Sequence, residues 1–203
     1  MRDVEEHTPS SVRERLQNVR LLAMDVDGVL TDGAVIYDSE GRELKSFHVA
    51  DGLGIVLLRR CGIKIVWITG RNSAIVEMRS SELGVDTLIQ GVHDKNKALA
   101  DVCRLLEIPS GAVAYVGDDW NDLPAFDYAG VRIAVANAVE EVKNAADMVT
   151  QNAGGRGAIR EVCNSILEAQ ERRQSCLESY LTSLKSKTEE GVEGGCLREL
   201  LGQ

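Results

Sequence analysis

Apolar residues in this chain fall in short continuous runs, each closed by polar residues or glycine. Residues 19–26 (VRLLAMDV) form the first run, followed by 63–69 (IKIVWIT), 87–89, 112–116 (AVAYV) and 131–135. Runs of this length without polar alternation predict strands buried on both faces, as in a parallel sheet. Between them, residues 53–60, 74–83 and 96–106 read as helices stopped by Gly62, Gly84 and Pro109. Strands alternating with helices predict one layered α/β domain. One element interrupts the alternation: residues 34–37 and 43–47 flank Asp38-Ser39-Glu40-Gly41 and predict a β-hairpin inserted after the first strand.

The pattern weakens from Gln170. Residues 177–184 read as a poorly ordered surface helix, with a partner-binding helix as the alternative, and the polar stretch 185–195 (KSKTEEGVEGG) is expected to be mobile. The expected organisation is a helical or mobile lead over 1–18, a domain over 19–172 and a tail over 173–203.

Composition narrows the classes of function. At 203 residues, 44% hydrophobic and 27% charged, the chain has the balance of a soluble globular protein. It has no apolar run of membrane-spanning length, and its opening residues lack the core of a secretory signal, which predicts a cytoplasmic protein. The five cysteines make no CxxC pair, so reduced thiols are expected rather than a disulfide framework. A net charge of -9 opposes the field of a nucleic acid and favours a small anionic ligand held at a local basic site.

In open α/β sheets, ligands bind beyond the carboxyl ends of the strands. The polar residues there are Asp25, Asp27 and Gly28 after the first run, Thr69, Gly70 and Arg71 after the second, and Asp118, Asp119 and Asp122 after the run at 112–116; Lys95 follows the run at 87–89. Carboxylates, a hydroxyl and an ammonium on one edge suit phosphoryl transfer assisted by magnesium, a hard cation that keeps room for water and a phosphate oxygen. Two carboxylates one residue apart can divide the work between attack on phosphorus and proton transfer. A calcium loop starting at Asp25 fails, since Val29 falls at its fifth position, Leu30 where glycine is needed and Ile36 at the bidentate glutamate.

The segments at 25–32 (DVDGVLTD), 68–71 (ITGR), Lys95 and 117–122 (GDDWND) resemble, in order, the four motifs of the haloacid dehalogenase superfamily. Residues 47–55 (FHVADGLGI), 90–95 (QGVHDK) and 154–163 (GGRGAIREVC) extend the resemblance to the subgroup acting on 3-deoxy-D-manno-octulosonate 8-phosphate. The resemblance implies a three-layer Rossmann-like sheet with an inserted hairpin and, with only about forty residues between Asp27 and Thr69, no cap domain. It implies Asp25 as nucleophile, Asp27 as general acid and base, Thr69 and Lys95 on the phosphoryl group, and magnesium held by Asp25, the Asp27 main-chain carbonyl and Asp118. Asp119 and Asp122 would orient the lysine or metal-bound water. A homotetramer, a sugar-acid phosphate substrate and a place in lipopolysaccharide precursor synthesis are implied as well. Gly28, Gly70, Arg71, Arg79 and Arg156 join this set as substrate-binding residues.

Several of these positions carry a second reading. Arg71 and Arg79, about two helical turns apart, read either as a salt-bridged helix surface or as a fork for a sugar carboxylate. The glycines around Arg156 read as a flexible turn or an anion clamp. His48 and His93 read as structural or surface residues, and Trp67 and Trp120 as packing residues. A phosphatase for a nine-carbon sugar acid phosphate or another small phosphomonoester and a catalytically silent oligomeric scaffold are the competing functions.

Overall fold

Residues 11–189 are described by a computed structural model of the chain, and six of its strands pair in parallel in the order β5-β4-β1-β6-β7-β8. These are β1 (Leu21–Met24), β4 (Lys64–Ile68), β5 (Thr87–Ile89), β6 (Val113–Gly117), β7 (Val131–Ala134) and β8 (Met148–Val149). A separate two-stranded ribbon pairs β2 (Ile36–Tyr37) with β3 (Glu43–Leu44). Every residue of β1 and β6 is buried, so both sheet faces are covered, as the unbroken apolar runs require. Leu21, Leu22, Met24, Ile65 and Ile68 are fully buried, each contributing about 1.5–3 kcal/mol of transfer free energy.

The register sets the site. Met24 pairs with Trp67 on one side and Val116 on the other, so the chain leaves β1, β4 and β6 at nearly one level. Asp25, Thr69 and Asp118 are the residues that follow.

The α/β expectation is met, and the helix signals work where caps exist. In α3 (Ala74–Leu83), Ser73 accepts a hydrogen bond from Val76 N and Gly84 closes the helix at φ 63. In α4 (Lys95–Leu105), Asp94 accepts from Lys97 N. The first helix after the hairpin, α2 (Val49–Arg60), begins four residues before the expected start, because its first turn is fixed by a polar contact rather than by an apolar period: buried Asp51 accepts from Gly157 N and Arg160 N. Helix α1 (Val12–Gln17) falls in the lead expected to be helical or mobile, whereas the periodicity missed α5 (Leu123–Tyr128), α6 (Glu140–Ala145), α7 (Ala158–Ala169) and β8. Most are six residues or fewer, too short for a helical period to register.

Helices α2 and α7 pack on each other, with α1 against α7. A further helix, α8 (Arg173–Glu189), runs through the segment expected to be poorly ordered and packs on α2 and α7. It is anchored by buried Cys176 and by Tyr180, whose ring lies 5.3 Å from the Arg60 guanidinium carbon. Of the stretch expected to be mobile, residues 190–195 lie outside the described residues. Between β1 and β4 the chain holds only the hairpin and α2, leaving no cap domain. Among the described residues, no helix is long and apolar enough to cross a membrane.

An ion cluster ties the far edge together. Arg132 Nη2 lies 2.6 Å from Asp147 Oδ1 and Arg132 Nε donates to Oδ2 at 3.0 Å, while Arg15 of α1 reaches Oδ1 at 3.0 Å. Burial would raise the Asp147 carboxyl, but the bonds from Arg132 and Arg15 outweigh it and hold it far below its ordinary value of 3.8. With the folded pKa depressed, this stabilisation is full above about pH 5 and is lost progressively as pH falls through the acid range. Asp147→Asn is therefore expected to cost about 1–3 kcal/mol at neutral pH. Urea unfolding should show that penalty shrinking toward pH 3, and an unchanged penalty across the range would contradict the assignment.

Candidate active site

Asp25 begins where β1 ends: its N–H still donates to Val116 O at 3.0 Å, but its side chain leaves the sheet and is 4% exposed. Asp25 Oδ1 accepts from Val26 N at 2.7 Å, and Oδ2 lies 3.0 Å from Lys95 Nζ. Lys95 opens α4, is 1% exposed, and also donates to Asp122 Oδ1 at 2.7 Å. Burial disfavours its ammonium, yet Asp122 and Asp25 more than compensate and raise its pKa above the ordinary value.

Asp122 is fully buried and saturated. It accepts from Lys95, from Tyr115 Oη at 2.8 Å, and from Asp118 N and Asp119 N at 2.9 and 3.4 Å. Asp119 is exposed, and its Oδ1 accepts from Trp120 N at 2.7 Å. Asp118 differs: its Oδ1 is buried without a hydrogen-bond partner.

Carboxylate oxygens of Asp25, Asp118 and Asp122 lie within 4.8 Å of one another. Burial first, and then Asp122, push Asp25 up to about 7, against the pull of Lys95; burial, Asp122 and Asp25 push Asp118 up to about 8. Fully ionised, three carboxylates against one ammonium leave two negative charges, the amount a divalent cation cancels. The buried, unpartnered Asp118 Oδ1 and the all-oxygen donor set fit magnesium. Both oxygens of Asp122 and of Asp25 already have partners, so the unpartnered buried donor among the three carboxylates is Asp118 Oδ1.

Gly28 makes room for this arrangement. Its φ of +91 favours glycine, and a Cβ there would lie 2.0 Å from Asp118 Oδ2.

A cavity of about 280 Å³ opens over these groups, lined by Asp25, Asp27, Thr69, Gly70, Arg71 and Asp118 among others. Buried Thr69 accepts from Arg71 N at 3.3 Å, and Arg71 donates to Glu43 Oε1 at 2.9 Å. Asp27, partly exposed, is ion-paired with Lys45.

Two expected partners do not line this cavity. Arg71 lies in the loop ahead of α3 while Arg79 is within the helix, so the two do not share a helical face. The Arg79 guanidinium instead sits over the Phe47 ring and bonds Glu82 at 3.0 Å. Arg156 pairs with Asp32 at 3.2 Å with its side chain 68% exposed. The sequence reading passed over Lys45, Glu43 and Tyr115. Glu43 and Lys45 stand two apart on the hairpin, a strand spacing that puts both charges on one side and was the available signal.

Residues 67–162 match the haloacid dehalogenase-like hydrolase family. The 3-deoxy-D-manno-octulosonate 8-phosphate phosphatase of Haemophilus influenzae is 41% identical over 177 residues, covering 86% of this chain and 98% of its own length. The corresponding phosphatase of Escherichia coli K12 is 45% identical over 161 residues, 79% of this chain and 86% of its own. A crystal structure of the Moraxella catarrhalis phosphatase in complex with magnesium, phosphate and KDO superposes with a TM-score of 0.81 at 44% identity, covering 83% of this chain and 97% of that one.

Gly28→Ala is expected to displace Asp118 and abolish stabilisation by magnesium. Thermal melts with and without the ion should show stabilisation of the unsubstituted protein, about 2.7 kcal/mol at a hundredfold excess over the dissociation constant, and none for the variant. Equal stabilisation of both would contradict the role assigned to Gly28.

Proposed function

Since this chain belongs to the haloacid dehalogenase-like hydrolases, within the family of the 3-deoxy-D-manno-octulosonate 8-phosphate phosphatases, we propose that it releases phosphate from that sugar-acid phosphate through a phosphoryl group carried on Asp25. The observation that carries the mechanism is a buried carboxylate at the end of the central strand, facing a buried lysine and a second carboxylate with a free oxygen.

Asp25 and Asp118, with the main-chain carbonyl of Asp27, would hold magnesium, which when bound supplies positive charge against the carboxylates and the phosphate. Asp25 attacks phosphorus and forms an acyl phosphate. Asp27 donates a proton to the departing sugar oxygen and then takes one from the water that hydrolyses the acyl phosphate. Thr69 bonds a phosphoryl oxygen, and Lys95 balances the charge that develops on it. Asp122 keeps Lys95 and the Asp118 backbone in place; Asp119 holds the turn between them. Gly70 lets the phosphate approach the backbone, and Arg71, at the cavity wall, receives the sugar carboxylate.

The hairpin exposes Val35, Ile36, Tyr37 and Leu44 beside the cavity. In our reading these apolar residues meet other copies in a homotetramer, and Arg156 reaches toward a neighbour's site rather than its own. A cytoplasmic enzyme feeding lipopolysaccharide precursor synthesis is the setting that this substrate suggests.

Asp25→Asn, nearly isosteric but unable to attack phosphorus, is expected to lower kcat by roughly a thousandfold or more with the fold intact. Phosphate release assays decide this, and retention of more than about a tenth of activity contradicts the covalent mechanism. Mixing Asp25→Asn with Arg156→Ala under conditions of subunit exchange should partly restore activity, because some sites then join an intact Asp25 to a neighbour's intact Arg156. Exchange verified by native mass measurement without recovered activity refutes the shared site.

A further inference from the structure

The hairpin carries a buried lysine that the chemistry above leaves without a task. The Lys45 side chain is 2% exposed, its ammonium is ion-paired with Asp27 Oδ1, and it lies 3.4 Å from Glu43 Oε1. Arg71 Nη2 reaches that same Glu43 oxygen at 2.9 Å, while Arg71 Nε lies 4.0 Å from Asp27 Oδ2. Asp27, Lys45, Glu43 and Arg71 thus close a ring of alternating charge. Ser73 Oγ, at the start of α3, donates to the other Glu43 oxygen at 2.5 Å.

We propose that Lys45 is a positioning residue for Asp27, holding from the hairpin the carboxylate that exchanges protons with the leaving group. The inference rests on the reading of Asp27 as the proton-transfer group.

Three observations support it. An ammonium this buried is tolerable only when paired, so Lys45 stays on its two carboxylates. Asp27 sits in the turn after β1 with its side chain 24% exposed, and Lys45 is its nearest charged partner, closer than Arg71 at 4.0 Å. The ribbon pairs with no strand of the main sheet, so the ring, together with the stacking of Phe47 on Trp67, attaches the hairpin to the strand ends. Glu43 then serves two cations: it shares Lys45 with Asp27 and keeps Arg71 at the cavity wall. Proton transfer is sensitive to small displacements of the donor, so fixing Asp27 matters most when the departing oxygen needs its proton.

The leaving group supplies a readout that a merely structural role would not move. A sugar alkoxide needs protonation as it departs; a nitrophenolate does not. The values compared are kcat/KM, which report the steps through departure of the leaving group, on the sugar-acid phosphate and on p-nitrophenyl phosphate. Lys45→Met is expected to lower the value about a hundredfold on the sugar ester and less than about threefold on the aryl ester. Lys45→Gln, which keeps a donor for Asp27 without the charge, should fall between, and it carries the same comparison should the methionine variant not fold. Asp27→Asn should show the same split, and the double variant Asp27→Asn/Lys45→Met should be no worse than Asp27→Asn alone. Equal losses on both esters, or no loss on either, overturn the proposal for Lys45. Asp27→Asn losing both esters equally instead refutes Asp27 as the general acid, which separates failure of the underlying reading from failure of the inference drawn on it.

Discussion

Lys95 is the constraint on which the site depends. It stands at the first residue of α4, where the helix dipole disfavours a positive charge, and almost none of its surface reaches water. Two carboxylates hold it there, and they arrive from different strand ends: Asp25 after β1 and Asp122 in the short turn after β6. Removing one partner from a buried pair typically costs about 3–5 kcal/mol, because a charge is left uncompensated. The lysine therefore acts as a three-way joint between the first strand, the turn after the fourth main-sheet strand in chain order and the helix between them. Tyr115 reinforces it from within β6 through its bond to Asp122. With Asp122 bonded on both oxygens, the Asp118 backbone is fixed while its side chain stays free for an electrophile.

The central sheet was legible because its runs are apolar on both faces, a pattern that helices of this length do not share. The residues at the strand ends were legible for a related reason, since the chemistry clusters where the runs stop. What periodicity could not report was tertiary. Helix α7 packs closely against α2, with Cys163 beside Gly54, yet its start reads in the sequence as a glycine-rich loop. The segment after Gln170 looked weak because α8 spreads its apolar residues: Cys176 is buried while Leu177, Leu181 and Leu184 stay exposed. Arg71 and Arg79 looked equivalent by spacing, but Ser73 starts the helix between them and sends the two guanidinium groups to different surroundings. Lys45 was invisible as a site residue because its importance comes from the folding back of the hairpin over Asp27, an event that local spacing does not record.

The hairpin and α2 are all that the chain places between the first two strands of the main sheet in chain order. Here a ribbon of four paired residues is attached through charges and one stacked aromatic pair. Its apolar outer residues are not consumed by the contacts within the chain. A short ribbon thus faces both ways, toward the strand ends through Glu43 and Lys45 and outward through Val35, Ile36 and Tyr37.

The segment that carries Arg156 is seated backbone to backbone on the loop that follows the nucleophile. A Cβ at Gly154 would lie 1.7 Å from Gly28 O, and Gly155 N donates to Val29 O at 2.9 Å. The glycines on either side of residue 156 make this seat with their backbone, Gly154 N and Gly157 N donating also to Asn137 and Asp51, so residue 156 can change identity without unseating the loop. Natural selection can therefore revise what that loop presents to a ligand while the catalytic strand end keeps its shape, which makes the loop a place where new specificities arise at little risk to folding.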